Sequence, residues 1–374
     1  MPANHDRRHM ALALRLAARA TGRTRPNPVV GCVIVRDGQI VGQGYHPYAG
    51  ASHAEVYALR QAGERARGAC AYVNLEPCSH HGRTPPCADA LIQAGVTRVV
   101  VAMIDPNLQV SGRGVERLRA AGIEVVVGVR GEEAFEINRP FITWIEQERP
   151  LITLKLAASL DGKTATRTGE SQWITGPAAR ARVQRMRDQH DAVLVGIGTI
   201  LADNPRLNCR MPGGRDPVRV VVDSRLRIPD GARVFDSSVD SPLWIATGRG
   251  ANFARAEALG ARANVRVIPC RETPDGRVSL SDLMSRLAEL DLTSVLCEAG
   301  SVLTGALLEA GLADRLALFV APKLIGGQDS RGLLDSIGIG SLADAQRLVN
   351  MNVSQVGEDL LIEGDFEGSR CLLA

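Results

Sequence analysis

The chain has 374 residues, which is long for one ordinary domain and predicts two or three. Its apolar content of 45% allows a core in each domain, and the aromatic content of 3% means that Val, Leu, Ile and Ala must build those cores. The net charge is +3 and the sequence has no basic run, which argues against a protein that binds long nucleic acid. No apolar stretch approaches the ~20 residues that a membrane span needs.

The start of the chain, MPANHDRRHM, lacks the apolar core of a signal peptide, so a cytoplasmic location is expected. In a reducing compartment the eight irregularly spaced cysteines should be metal ligands or buried thiols rather than disulfides. Cys32, Cys70 and Cys297 lie in apolar, strand-like runs and are predicted to pack in the core.

The first part of the chain alternates strands with helices. Periodicity predicts a helix over residues 6–21, and a turn-rich loop then carries Asn27 between two prolines, where it is either a turn former or a ligand contact. Further predicted strands are 29–35, 39–44, 70–75, 98–104 and 123–129, and further helices are 53–67, 114–121 and 132–146. This alternation predicts a mostly parallel sheet with helices on both faces.

One imidazole and two thiols in this part form a potential zinc set. His53 and Glu55 open a predicted helix with Ser52 as a possible N-cap, Cys78 ends a strand, and Cys87 lies near the start of the next helix. Strand end and helix start are neighbours in a β–α unit, so eight intervening residues do not prevent the two thiols from sharing a metal.

The pair His53 and Glu55 is a weak signal alone, since a capping-turn histidine and a solvated glutamate look the same in sequence. With the two thiols, it becomes typical of zinc deaminases, in which the glutamate carries protons without binding the metal. His80 and His81 lie between the cysteines and are interpreted as substrate contacts or surface groups.

Residues 146–150 (EQERP) form the best linker, after which the alternation restarts. Predicted strands are 151–158, 191–196, 218–223, 243–247, 265–269, 294–297, 315–321 and 360–364, with helices over 177–189 and from about 301 to 310. No G-x-G-x-x-G follows the first strand of this half, so the Rossmann fingerprint is absent. Glycines at 196, 198 and 300 lie between strands and helices, as ordinary turns or as phosphate-binding loops. Three arginines of the helix over 177–189 are more typical of a solvated face than of a phosphate clamp: Arg182, Arg185 and Arg187.

Several motifs resemble one enzyme family. GRTRPNPVVGCVIV, HAEVYAL and EPCSHHGRTPPC are similar to the deaminase half of the bifunctional riboflavin-biosynthesis deaminase/reductase, and TLKLAASLDGKTAT, GESQWITG, TILADNPRL, LCEAG and PKLIGG to its reductase half. The resemblance implies an α/β chain with a cytidine-deaminase-like three-layer domain over residues 1–147 and a dihydrofolate-reductase-like domain over residues 150–374.

The resemblance also implies two successive reactions on one phosphoribosylated pyrimidine. The first removes the 2-amino group of 2,5-diamino-6-(5-phosphoribosylamino)pyrimidin-4-one by zinc-dependent hydrolysis. The second reduces the ribosyl chain of the product to ribityl with NADPH.

Carried over residue by residue, the resemblance assigns His53, Cys78 and Cys87 to zinc and Glu55 to proton transfer. The implied deaminase contacts are Asn27, His46, His80 and Thr84. The implied NADPH contacts are Ala157, Trp173, Thr199, Asp203, Ser224, Gly300 and Ser301. The implied substrate contacts of the reductase are Ser171, Arg187, Leu207, Arg210 and Glu298. The two arginines among them suit the substrate phosphate, because a guanidinium can bind a phosphate through two hydrogen bonds.

Two other interpretations remain open at this point. A nucleic-acid base deaminase with an appended domain is disfavoured by the cysteine spacing, the near-neutral charge and the second-half motifs. A zinc-stabilised interaction protein would need a closed site with four protein ligands, and only three are evident. The leading hypothesis is therefore a homo-oligomeric enzyme that acts on a small molecule, away from nucleic acid and membrane.

Overall fold

The structure is a computed structural model that describes residues 4–79, 85–108, 110–327, 329–335 and 337–369. The chain divides into two compact units, Met1–Glu148 and Arg149–Ala374. Within the described ranges, no helix is both long and apolar enough to cross a membrane.

The first unit is built on a five-stranded sheet with the order β2-β1-β3-β4-β5. Strand β1 is antiparallel to both β2 and β3, whereas β3, β4 and β5 are parallel. Its strands are β1 (Gly31–Arg36), β2 (Gln39–Tyr45), β3 (Cys70–Val73), β4 (Arg98–Val101) and β5 (Glu124–Val127). Its helices are α1 (Asn4–Ala18), α2 (Ala54–Ala62), α3 (Cys87–Gln93), α4 (Arg113–Ala120) and α5 (Gly131–Gln147).

Small residues allow helices to lie directly on this sheet. A Cβ at Gly42 would come 2.1 Å from the Ala58 carbonyl oxygen, and a Cβ at Gly31 would come 2.1 Å from that of Ala13. Helix α2 therefore packs through alanines on one face of the sheet, and α1 packs on the other. The resulting helix–sheet–helix arrangement is the predicted three-layer domain.

The second unit contains a nine-stranded sheet with the order β10-β9-β8-β7-β11-β6-β12-β14-β13. Its strands are β6 (Leu151–Ser159), β7 (Ala192–Gly196), β8 (Val218–Val222), β9 (Leu243–Gly248), β10 (Val265–Cys270), β11 (Ser294–Cys297), β12 (Arg315–Ala321), β13 (Leu348–Val356) and β14 (Asp359–Phe366). Its helices are α6 (Pro177–Gln189), α7 (Ile197–Asp203), α8 (Phe253–Gly260), α9 (Leu280–Glu289) and α10 (Ser301–Glu309).

The seven strands that follow one another in space from β10 through β9, β8, β7, β11 and β6 to β12 are mutually parallel. Strands β14 and β13 extend the sheet beyond β12 as an antiparallel hairpin. Helices α9 and α10 cover one face of the sheet, and α6, α7 and α8 cover the other. Because the parallel strands all end at one edge, the loops after β6, β7, β8 and β11 lie together there, where ligands bind in such sheets.

The predicted α/β class is confirmed for both units, since each contains a sheet with helices on both faces. Some local predictions need correction. His53 rather than Ser52 occupies the N-cap position of α2, and it makes no side-chain capping bond. Cys32 and Cys297 are buried as predicted, but Cys70 is only partly buried and its Sγ lies 3.7 Å from Nη1 of Arg98.

Candidate active sites

His53, Cys78 and Cys87 converge in the first unit. Their ligand atoms all lie within 4.8 Å of one another, and Nδ1 of His53 is 3.2 Å from Sγ of Cys87 and 3.6 Å from Sγ of Cys78. One imidazole and two thiols at such distances suit a zinc ion that keeps a fourth position for water. The donor set therefore fits zinc.

Two helix starts present these ligands. His53 immediately precedes α2, and Cys87 is the first residue of α3. The amide of Cys87 donates a hydrogen bond of 3.3 Å to Sγ of Cys78. The hydrogen bond with the Cys87 side chain and the neighbouring His53 lower the pKa of Cys78, against the opposing effect of burial. A thiolate is the form that binds a metal.

Glu55 lies one residue into α2 and is 3% exposed. Its Oε2 is buried and has no hydrogen-bond partner among the described residues. Burial, together with the negative charge of Cys78, raises the pKa of Glu55 to about 7. A carboxyl group that exchanges a proton near neutral pH, beside the three ligands, suits general acid–base work.

Asn27 and His46 form the next layer of the same site. Nδ2 of Asn27 donates to Nε2 of His46 at 3.3 Å, and Nδ1 of His46 donates to the Ser52 carbonyl at 3.1 Å. The two rings of His46 and His53 meet edge to face with centroids 5.6 Å apart. Burial lowers the pKa of His46 and so favours its neutral form. The structure thus brings Asn27 and His46 to the zinc ligands, whereas His80 and Thr84 lie outside the described residues.

Sequence reasoning missed two buried asparagines that fix the loop carrying Asn27. Asn74 accepts from the Gly31 amide at 2.7 Å and donates to the Val29 carbonyl. Asn138, on α5, accepts from the Val29 amide at 2.8 Å and donates to the same carbonyl. The only sequence signal was a polar residue inside an apolar segment, which does not reveal its partner.

Glu298 is the centre of the candidate site in the second unit. Its side chain is 8% exposed and follows β11, where it binds Arg187 of α6 through two hydrogen bonds and lies 3.3 Å from Nζ of Lys155. Burial opposes ionisation of Glu298, but the charges of Arg187 and Lys155 outweigh it and lower its pKa to about 2. The solvated-face prediction fits exposed Arg185 but not Arg187, which is buried.

Lys155 is another residue that sequence reasoning missed, this time in the second unit. The pairing of β6 with β11 aligns Leu154 with Cys297, so Lys155 and Glu298 are the next residues along each strand. A lysine inside the apolar strand TLKLAAS was a signal that could have found it.

The remaining predicted substrate positions differ in their surroundings. Leu207 is buried with a left-handed backbone (φ 61°), and Ser171 is partly exposed. Arg210 is exposed, and its amide donates to Oε1 of Gln184 at 2.8 Å. Burial of part of the side chain and the charge of Arg187 lower the pKa of Arg210. Its guanidinium has no ion pair within the described part of the chain.

The predicted NADPH positions follow the carboxyl edge of the sheet. Ala157 lies on β6, Thr199 and Asp203 on α7, Ser224 just after β8, and Gly300 and Ser301 at the start of α10. Helix α10 begins with no side-chain cap, and a Cβ at Gly300 would meet nothing within 4 Å. Free amides at an open helix start fit a diphosphate group, so these residues fit a dinucleotide.

Three of the predicted NADPH positions are involved in other contacts. The exposed Trp173 ring lies 4.8 Å from the Arg180 guanidinium, and Asp203 accepts from Nε2 of Gln172 at 3.3 Å. Oγ of Ser224 accepts from the Val278 amide at 3.0 Å. Ser224 follows β8, which is separated in the sheet from β11, the strand before Glu298, by β7. The structure therefore places the predicted residues along one edge rather than in one cluster.

Both halves of the chain match known families. The RibD C-terminal domain matches residues 150–362, and the cytidine and deoxycytidylate deaminase zinc-binding region matches residues 3–103. The riboflavin biosynthesis protein RibD of Escherichia coli (strain K12) is 46% identical over 370 residues, which cover 96% of this chain and 98% of that protein. The chain belongs to the RibD family.

Solved RibD structures agree with this assignment. Acinetobacter baumannii RibD superposes with a TM-score of 0.86 at 40% identity, covering 97% of this chain and 99% of that one. A deaminase/reductase from Thermotoga maritima superposes with a TM-score of 0.81 at 36% identity and the same coverage. The predicted RibD-family enzyme, with deaminase and reductase domains that use zinc and NADPH, is confirmed.

Proposed function

We propose that the first unit deaminates 2,5-diamino-6-(5-phosphoribosylamino)pyrimidin-4-one and that the second reduces the ribosyl chain of the product. The observation that carries the first assignment is the convergence of three ligand atoms within 4.8 Å beside the buried Oε2 of Glu55, which has no hydrogen-bond partner in the described part of the chain. RibD-family membership supports the substrate and the order of the two reactions.

In the deaminase unit, His53, Cys78 and Cys87 would hold zinc, which when bound supplies a water molecule of lowered pKa. Glu55 accepts a proton from the attacking water and delivers it to the ring nitrogen. Glu55 then carries a second proton, from the hydroxyl group formed on the ring carbon, to the amino group, which leaves as ammonia. Asn27 and the neutral His46 bind the polar edge of the pyrimidine and orient the amino-bearing carbon toward Glu55.

In the reductase unit, NADPH supplies a hydride when bound, and the chain provides its binding and orientation. The open start of α10, with Gly300 and Ser301, holds the diphosphate group. Glu298 and Lys155 present a fixed pair of charges to the sugar chain of the substrate.

The two arginines assigned to substrate have different roles. Arg187 is committed to Glu298 and to the Asn208 carbonyl, to which its Nη1 donates at 2.7 Å, so it holds the carboxylate in place. The exposed guanidinium of Arg210 has no ion-pair partner among the residues that the structure describes, so it is the better partner for the substrate phosphate. A cytoplasmic location and a homo-oligomeric state remain predictions.

The test is an assay of the purified chain on the diaminopyrimidinone phosphoriboside, with ammonia release and NADPH oxidation measured separately. Ammonia release without NADPH, followed by NADPH oxidation only after deamination, is the expected result. Protein that holds zinc but gives neither signal would overturn the proposed substrate.

A further inference from the structure

A buried glutamate lies two residues before the zinc-ligand candidate Cys78. Glu76 follows β3, is 4% exposed, and donates its amide hydrogen to the Met103 carbonyl at 3.0 Å. Glu76 is not one of the three zinc-ligand candidates, and a carboxylate at this depth needs strong partners.

The carboxylate of Glu76 accepts four backbone hydrogen bonds. Oε1 accepts from the amides of Gly114 at 2.8 Å and Val115 at 3.0 Å. Oε2 accepts from the amides of Gly112 at 2.9 Å and Asp105 at 3.2 Å. Three of these donors belong to the start of α4, where a negative charge is favoured and where Gly112 provides no side-chain cap.

Helix α4 also touches the peptide that carries Cys78. A Cβ at Gly114 would lie 2.0 Å from the Pro77 carbonyl oxygen, so only glycine allows this approach. The start of α4 therefore packs directly against the backbone between Glu76 and Cys78. The Glu76 carboxylate, through its hydrogen bonds to the helix amides, fixes the position of that helix start.

The next helix holds Cys78 from the other side. The amide of Ala88 donates to the Cys78 carbonyl at 3.2 Å, and the amide of Cys87 donates to Sγ of Cys78 at 3.3 Å. The segment 76–78 is thus fixed between two helix starts, with the Glu76 carboxylate as the link to α4.

We propose that Glu76 is a positioning residue that fixes Cys78 for metal binding. This inference rests on the zinc site proposed above. Groups that orient metal ligands typically affect metal affinity about 10–100-fold when they are replaced. A merely structural glutamate would instead affect the stability of the first unit and leave zinc affinity unchanged.

The experiment measures zinc affinity of the intact chain by competition with a chromophoric chelator, alongside thermal unfolding. Glu76→Gln replaces one carboxylate oxygen by an amide nitrogen that faces N–H donors, and Glu76→Asp keeps the charge with a shorter reach. Asp6→Asn is the matched control, because Asp6 is another buried carboxylate of this unit, bound to Tyr72 and Arg98.

We expect Glu76→Gln to weaken zinc binding about 10–100-fold, Glu76→Asp to weaken it less, and Asp6→Asn to lower thermal stability with zinc affinity within about twofold of the parent. Equal zinc affinity in the parent and the Glu76 variants, or an equal loss in Asp6→Asn, would overturn the proposal. If Glu76→Gln does not fold, Glu76→Asp is judged by the same comparison. A parent chain that binds no zinc would overturn the site itself, which is a different result from an unaffected Glu76 variant.

Discussion

Arg187 and Glu298 are 111 residues apart in sequence and form a bidentate ion pair. Nε of Arg187 donates to Oε1 of Glu298 at 2.6 Å, and Nη2 donates to Oε2 at 3.1 Å. Both side chains are at most 10% exposed. The pair joins α6 to the end of β11 at the edge of the sheet where the NADPH positions lie. Breaking such a buried pair from one side leaves an uncompensated charge, which is the costly change.

Arg187→Ala should therefore destabilise the second unit by about 3–5 kcal/mol. Urea denaturation followed by the fluorescence of Trp244, a buried residue of this unit, measures the change. Arg185→Ala, an exposed arginine of the same helix, is the control and should change stability by less than about 0.5 kcal/mol. A loss no larger than that of the control would show that the pair contributes no net stability.

The pKa of Glu298 predicts how the second unit responds to acid. Because its pKa is lowered from 4.5 to about 2 in the folded state, its contribution is complete above pH 4.5 and is lost as the pH falls toward 2. Glu298→Gln should flatten the fall in unfolding free energy between pH 4.5 and pH 2. Denaturation curves across this window check it, and parallel curves for parent and variant would contradict the assigned pKa.

The sequence predicted the zinc-ligand residues better than it predicted the residues that hold the site groups in place. His53, Cys78 and Cys87 carry distinctive chemistry, and the pattern correctly placed His53 and Cys87 at helix starts. Cys78 was predicted at the end of a strand, but β3 ends at Val73 and Cys78 lies in the segment that follows. Lys155 and Glu76 were not predicted as site residues, since their roles depend on strand register and on a helix start almost 40 residues away. Strand β13 was also absent from the predicted elements, because its central residues are exposed on an edge and lack a clear apolar pattern.

Glu55→Gln should lower deamination by a factor on the order of a hundred to ten thousand, because the amide cannot accept the proton that the carboxylate carries. Zinc content and NADPH-dependent reduction of the deaminated substrate should be retained, since Glu55 is not among the three ligands. Ammonia release is the measurement, with Glu64→Gln, an exposed glutamate of the same unit, as the control. Loss of both activities with zinc retained would contradict two independent sites.

Arg210→Ala should raise the reductase KM for the phosphorylated substrate about 10-fold or more, because a charge-assisted contact to phosphate is removed. The KM for NADPH should stay within about twofold, as the NADPH positions lie along the strand ends and not at Arg210. Steady-state kinetics with the phosphorylated substrate and its dephosphorylated analogue separate the effects, since only the former offers a phosphate. Arg185→Ala is again the matched control. An equal rise in KM for both substrates would place Arg210 elsewhere on the ligand, and an unchanged KM would remove it from the substrate site.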